Sequence, residues 1–125
     1  MKKEFIPYEQ ALEVKVLGFD EACICYYDIE DSYKLKPTPM KEEVNAFHFN
    51  STSIMVAAPL YQQAFRWFRE KYNLRHSLPS RLWNRHSYSI TDFEDFKDEY
   101  DGSFTTYEEA ELACLKKLIE IAKNK

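Results

Sequence analysis

All five arginines of the chain fall within one short stretch: Arg66, Arg69, Arg75, Arg81 and Arg85. His76 and His86 stand in or beside it, and Trp67, Phe68, Tyr72 and Trp83 are interleaved with it. A guanidinium is a planar fork that binds carboxylate or phosphate through two parallel bonds and stacks on aromatic faces. Residues 66–86 hold six cations against one acid, a net +5 with the histidines neutral. Residues 92–111 invert this, with nine acids against one lysine, a net −8. Lysine is spread along the whole chain, so the arginine cluster is not a general basic bias. Three readings compete. The two stretches can neutralise each other across a hairpin. Arginine with aromatic anchors is also the composition of a protein-binding hot spot. It is equally that of a single-strand or RNA-binding surface. The candidate interaction surface is Arg66, Arg69, Arg75, Arg81, Trp83, Arg85 and His86. A protein partner is the first expectation, with nucleic acid through the same residues as the alternative.

Other chemistry is sparse. Cys23 and Cys25 are two apart and share a face on a strand, and His48 could complete a thiolate–imidazole set. Zinc sites use wider cysteine spacing and four ligands, so buried structural thiols are expected instead. Cys114 lies mid-helix, away from a helix N-terminus that would activate it. His48, between Phe47 and Phe49, reads as a structural histidine. Ser87 and Ser89 lack the glycine-flanked elbow of a hydrolase nucleophile. The acids from Asp92 to Asp101 do not match a calcium loop, which needs glycine at its sixth position and glutamate at its twelfth. The two glycines, Gly18 and Gly102, cannot build a dinucleotide fingerprint or a phosphate loop. No catalytic, cofactor-binding or metal residue is assigned and no cofactor is expected. An enzyme of unknown type is the third reading, because catalytic groups can lie far apart in sequence.

The elements that must position these residues follow from punctuation and periodicity. A first helix is predicted from about Pro7 to Leu17, with proline in the first turn and Gly18 at the left-handed stop. Residues 22–27 and 33–35 read as strands around a turn at Asp28–Ser32. Residues 44–49 and 54–57 are two further strand candidates across an Asn50–Thr52 turn. A second helix runs from about Pro59 to Tyr72, its Leu60, Ala64, Phe65, Phe68 and Tyr72 on one face and Asn73 as its stop. From Leu74 to Arg85 the pattern is weak, and Pro79 argues against one continuous element. Residues 86–91 read as a strand; strand and loop cannot be separated from Phe93 to Phe104, and Gly102 reads as a turn. Thr106-Tyr107-Glu108-Glu109 is a capping box that opens a third helix with a wide apolar face.

At 125 residues, with 45% apolar and 30% charged residues, the chain fits one globular domain, residues 1–125. The expected class is α+β: a small antiparallel sheet with three helices, in the order α-β-β-β-β-α-β-(β)-α. Two helix-plus-hairpin halves are the alternative arrangement. The longest apolar run, residues 54–60, is too short to cross a bilayer, and no apolar stretch follows the lysines at the start. A cytoplasmic protein with free thiols and no membrane partner is expected; its oligomeric state is left open.

Three segments carry a resemblance. They are residues 2–12 with Leu17-Gly18-Phe19-Asp20-Glu21, residues 59–72 (PLYQQAFRWFREKY), and residues 106–120 (TYEEAELACLKKLIE). Together they resemble a family of small uncharacterised proteins from Bacteroides-type gut bacteria and their phages or mobile elements. The likeness covers the three helices, under half the chain. It implies a cytoplasmic protein in a mobile-element context, and it names no catalytic or binding residue.

Overall fold

The computed structural model describes residues 2–37, 54–81 and 85–125. The strand expected at residues 44–49, the turn at 50–52, His48 and Trp83 lie outside the described residues. The α+β class with three helices stands as the sequence predicts. The strands are divided between two antiparallel sheets rather than gathered into one. Each sheet pairs segments from its own half of the chain, and the chain clusters into two compact units, Met1–Gln62 and Gln63–Lys125.

In the first unit, helix α1 spans Tyr8–Val16. Pro7 sits one position ahead of it in extended conformation, and its carbonyl accepts the Ala11 amide at 2.8 Å. The helix ends where only glycine is comfortable. Gly18 has φ 101°, its amide donates to the Lys15 carbonyl, and the Phe19 amide donates back to Val14. This is a Schellman stop, and it turns the Phe19 ring into the core, where it is 1% exposed. Strand β1 (Cys25–Asp28) lies between β2 (Lys34–Pro37) and β3 (Met55–Ala57). Asp28 caps the turn that follows β1 by accepting the Glu30 amide, and Ser32 and Tyr33 complete the reversal at positive φ. The buried Tyr27 hydroxyl donates to the Ile6 carbonyl at 2.6 Å, so the one polar atom of that ring is satisfied inside the core.

Helix α2 (Tyr61–Tyr72) leads into the second unit. It stops at Asn73, φ 55°, a residue that tolerates the left-handed region. Strands β4 (Leu74–Ser77), β5 (Ser80–Arg81), β6 (Arg85–Asp92) and β7 (Lys97–Phe104) follow, then α3 (Tyr107–Lys123). Pro79 separates β4 from β5, as its missing amide requires. Strand β6 is central: β4 and β5 pair along one side of it and β7 along the other. Gly102 is not in a turn. It lies inside β7 where the register shifts, and together with Ser103 (φ 74°) it makes a β-bulge against β6. The Tyr100 ring lies over it, so that a Cβ at 102 would come within 2.9 Å of the Tyr100 hydroxyl. Glycine there lets the Tyr100 side chain approach the strand closely and makes no reversal.

Helix α3 opens on the expected cap, with Thr106 Oγ1 accepting the Glu109 amide at 3.1 Å. The Glu109 carboxylate accepts the neighbouring Thr105 hydroxyl at 3.2 Å. The wide apolar face of the helix is used: Ala110, Cys114, Leu115, Leu118, Ile119 and Ala122 are all buried. Replacing the fully buried Leu118 by alanine is expected to lower the unfolding free energy by about 2–5 kcal/mol. Thr106→Ala should cost about 1 kcal/mol, the worth of one N-cap. Urea unfolding measures both, and equal costs would contradict a core role for the first and a local one for the second.

Candidate interaction surface

Strand alternation decides which arginine faces where. Directly opposed residues of an antiparallel pair share a face. Leu74, Asp92 and Lys97 form one such row, and His76, Ile90 and Glu99 the next. These rows face the helices: Leu74, Ile90 and Asp92 are buried, and His76 stacks on Phe65 of α2 at 4.0 Å. Arg75, Thr91 and Asp98 form a row of the opposite face, as do Ser77, Ser89 and Tyr100.

The candidate residues are therefore not one patch. Arg66 and Arg69 are exposed, one helical turn apart, on α2. Arg75 is exposed on the open sheet face, with its guanidinium 5.3 Å from the Phe93 ring centre. Arg81 stands opposite Arg85 in the β5–β6 register, and Arg85 is exposed. His86 is half-buried, with its ring edge-on to Tyr107 at 6.3 Å. Of the aromatics interleaved with the arginines, Trp67 and Phe68 are core: they pack edge to face at 5.0 Å, and the Lys71 ammonium lies over Trp67 at 5.1 Å. Burial, with Arg69 beside it, holds the His76 pKa below the usual histidine range, so the ring is neutral at pH 7.

Four acids of the acidic stretch pair with lysines instead. Lys125 Nζ reaches Asp92 at 3.1 Å, Glu94 at 2.9 Å and Asp95 at 3.7 Å. Lys117 lies 4.0 Å from Glu99 and 3.5 Å from Glu120. Among the described residues Arg69, Arg75 and Arg85 take part in no ion pair. Asp92 is the hinge of this arrangement. Its Oδ1 accepts the Glu94 and Asp95 amides at 3.0 and 3.2 Å, capping the Phe93–Phe96 turn. Burial works against its charge, but the Lys125 ammonium and those two amides outweigh it and hold the carboxyl below its ordinary pKa.

A cleft of about 260 Å³ lies beside it, between the helix-side face of β6 and β7 and the last turns of α3. Most of its charged lining, Asp92, Asp95, Glu99, Lys117, Glu120 and Lys125, consists of groups that pair with one another. It holds neither histidine nor cysteine. Among the described residues no three histidine, cysteine, aspartate or glutamate side chains gather as metal ligands. The cysteines are free and buried, and burial pushes the Cys114 thiol up to about 12, which keeps it protonated. No family model, no curated protein and no solved structure matches the chain.

The Lys125–Asp92 pairing and the Glu111 carboxyl carry no signal in the sequence, whereas the spacing of Phe93, Phe96 and Tyr100 already gives them no core assignment. Lys125 is 33 residues from Asp92, and no local pattern links them. Phe93, Phe96 and Tyr100 turn out to be exposed, at 46%, 87% and 61%. Glu111, half-buried on α3, has its carboxyl pushed up to about 7 by burial, with Glu108 adding to it.

Two pH effects follow. The lowered Asp92 carboxyl contributes stability above its unfolded pKa of about 3.9, and that contribution is lost as the pH falls through the folded value. Asp92→Asn should destabilise by about 1–2 kcal/mol at pH 7, with the gap closing as acid protonates the lowered Asp92 carboxyl. Equal stability at pH 7 would exclude a stabilising role for the Asp92 charge beside Lys125. The raised Glu111 carboxyl has the opposite sign: its relative contribution is present in acid and lost as the pH rises toward 7. Glu111→Gln should therefore stabilise at pH 8 by roughly 1 kcal/mol, allowing for solvent screening, and flatten the stability profile between about pH 4.5 and 7. Thermal unfolding across that range measures it.

Proposed function

We propose that the protein is a non-catalytic interaction module whose exposed arginines in residues 66–86, spread over α2, the open sheet face and the start of β6, meet carboxylates of a protein partner. The observation that carries this reading is the choice of counter-ions. The acids of residues 92–99 with recorded ion pairs are held by Lys125 and Lys117, while Arg69, Arg75 and Arg85 are exposed and outside such pairs. A guanidinium left in solvent beside so many acids keeps its fork for an incoming carboxylate. Nucleic acid through the same residues is less favoured. Arg75 shares its open sheet face with Asp98, and phosphates approaching that face would meet exposed carboxylates. The reading takes the protein as cytoplasmic, in keeping with three free, buried cysteines. No helix of the described residues is long and apolar enough to cross a membrane.

The triple variant Arg69→Ala, Arg75→Ala, Arg85→Ala tests this. Its unfolding midpoint should stay close to that of the parent, since each exposed charge contributes within about 1 kcal/mol. Binding of a ten-residue polyglutamate peptide at low salt should fall at least tenfold, read by fluorescence anisotropy. Unfolding of the variant would make the arginines structural. Oligonucleotide binding that outcompetes the peptide and weakens steeply with salt would move the assignment to nucleic acid.

A further inference from the structure

Among the described residues no strand pairs with the outer side of β7. The strand is eight residues long and pairs only with β6 among the described residues. Lys97 to Asp101 are all exposed, as an uncovered edge requires. A row of unpaired amides and carbonyls is a template for another strand. Both faces of this edge carry carboxylates: Asp98 on the open face, and Asp101 with the Lys117-paired Glu99 on the side toward α3. Tyr100 shares the open face with Asp98, and Phe96 stands at the end of the edge, 87% exposed.

Phe96 is informative because the fold does not need it. Its backbone has φ 54°, a region that bulky side chains rarely adopt and that glycine or asparagine fills more easily. A large apolar ring is held there in solvent, at a strained position, next to an open strand edge. The Arg75 guanidinium over Phe93 shows that aromatic rings of this turn already accept a cation.

The charge of the edge selects its occupant. A second copy pairing β7 to β7 would bring Asp98, Glu99 and Asp101 against the same acids, and like charges across a strand pair are destabilising. Nucleic acid is repelled for the same reason. An extended segment with basic side chains finds backbone partners along the edge, carboxylates for its cations on both faces, and Tyr100 and Phe96 as cation–π platforms. We propose that the outer edge of β7 is a strand-addition site for an extended lysine- or arginine-rich segment of a partner protein. Arg75 shares the open face with this edge, but Arg69 and Arg85 lie elsewhere, and the site does not depend on the proposed function.

The probe is a ten-residue peptide of alternating arginine and threonine, titrated at low salt by fluorescence anisotropy with hydrogen exchange followed in parallel. The peptide should bind, and outward-facing amides of β7 should gain protection. The double variant Phe96→Asn, Tyr100→Ser should bind at least tenfold more weakly. Phe96→Asn alone should leave the melting temperature unchanged or raised, which separates lost binding from lost folding. The same peptide N-methylated on alternate residues cannot complete the ladder and should also bind at least tenfold more weakly. Arg69→Ala with Arg85→Ala should bind the basic peptide as the parent does, even if the arginine surface proves to have no partner. Absence of binding at low salt overturns the proposal. So does equal affinity for the N-methylated peptide, or binding that leaves the β7 amides unprotected.

Discussion

The two faces of β6 govern the second unit. Tyr88, Ile90 and Asp92 turn toward the helices and are buried, so every residue paired opposite them on β4 and β7 is committed to the same side. Leu74 and His76 join the core and Arg75 cannot, although all three are consecutive in β4. The buried stripes of α3 complete that side. A strand offers each face once. Residues on the other face are free of the core, and the hydrophobic term that fixes the fold is almost blind to them.

Asp92 is where this geometry meets the charge pattern. It is the last inward position of β6, and a carboxylate there must be neutralised and hydrogen-bonded. Two turn amides and one lysine do both. An ammonium is a compact point charge with rotatable donors, so Lys125 can serve Asp92, Glu94 and Asp95 together, where a planar fork would favour one carboxylate. The acidic turn is thereby tied to the end of α3. Arg75, nearest to it in the sheet, is left with Phe93 and solvent.

What was legible in the sequence was local. Gly18, Asn73 and Thr106 end or begin helices through bonds within a few residues, and each does what its type predicts. Period found Ala64, Phe65 and Phe68 of the inward face of α2 and most of that of α3, because burial on a helix repeats every few residues, but it missed the buried Tyr61 and Trp67. Strand β7 could not. Lys-Asp-Glu-Tyr-Asp-Gly-Ser-Phe has no apolar alternation, and it is extended because β6 supplies its hydrogen bonds. Gly102 carries the signal of a turn and performs the different task of admitting the Tyr100 ring at a bulge. The arginine cluster is close in sequence but lies on α2, on the open sheet face and at the start of β6, since alternation separates neighbours as readily as it joins distant residues.

The open side of the sheet then has a physical character of its own. Exposed Phe93, Phe96 and Tyr100 bury little and contribute little to folding, and Phe96 adds strain. The acids around them repel one another and gain nothing from the core. Such residues are costly in a surface whose sole task is to stay solvated, where lysine, serine or glycine would serve. The charges and the bulge of β7 also blunt its edge against identical copies, which a bare aromatic edge would not do. Aromatic rings that attract, set among carboxylates that repel their own kind, make an edge that is closed to itself and open to the opposite charge.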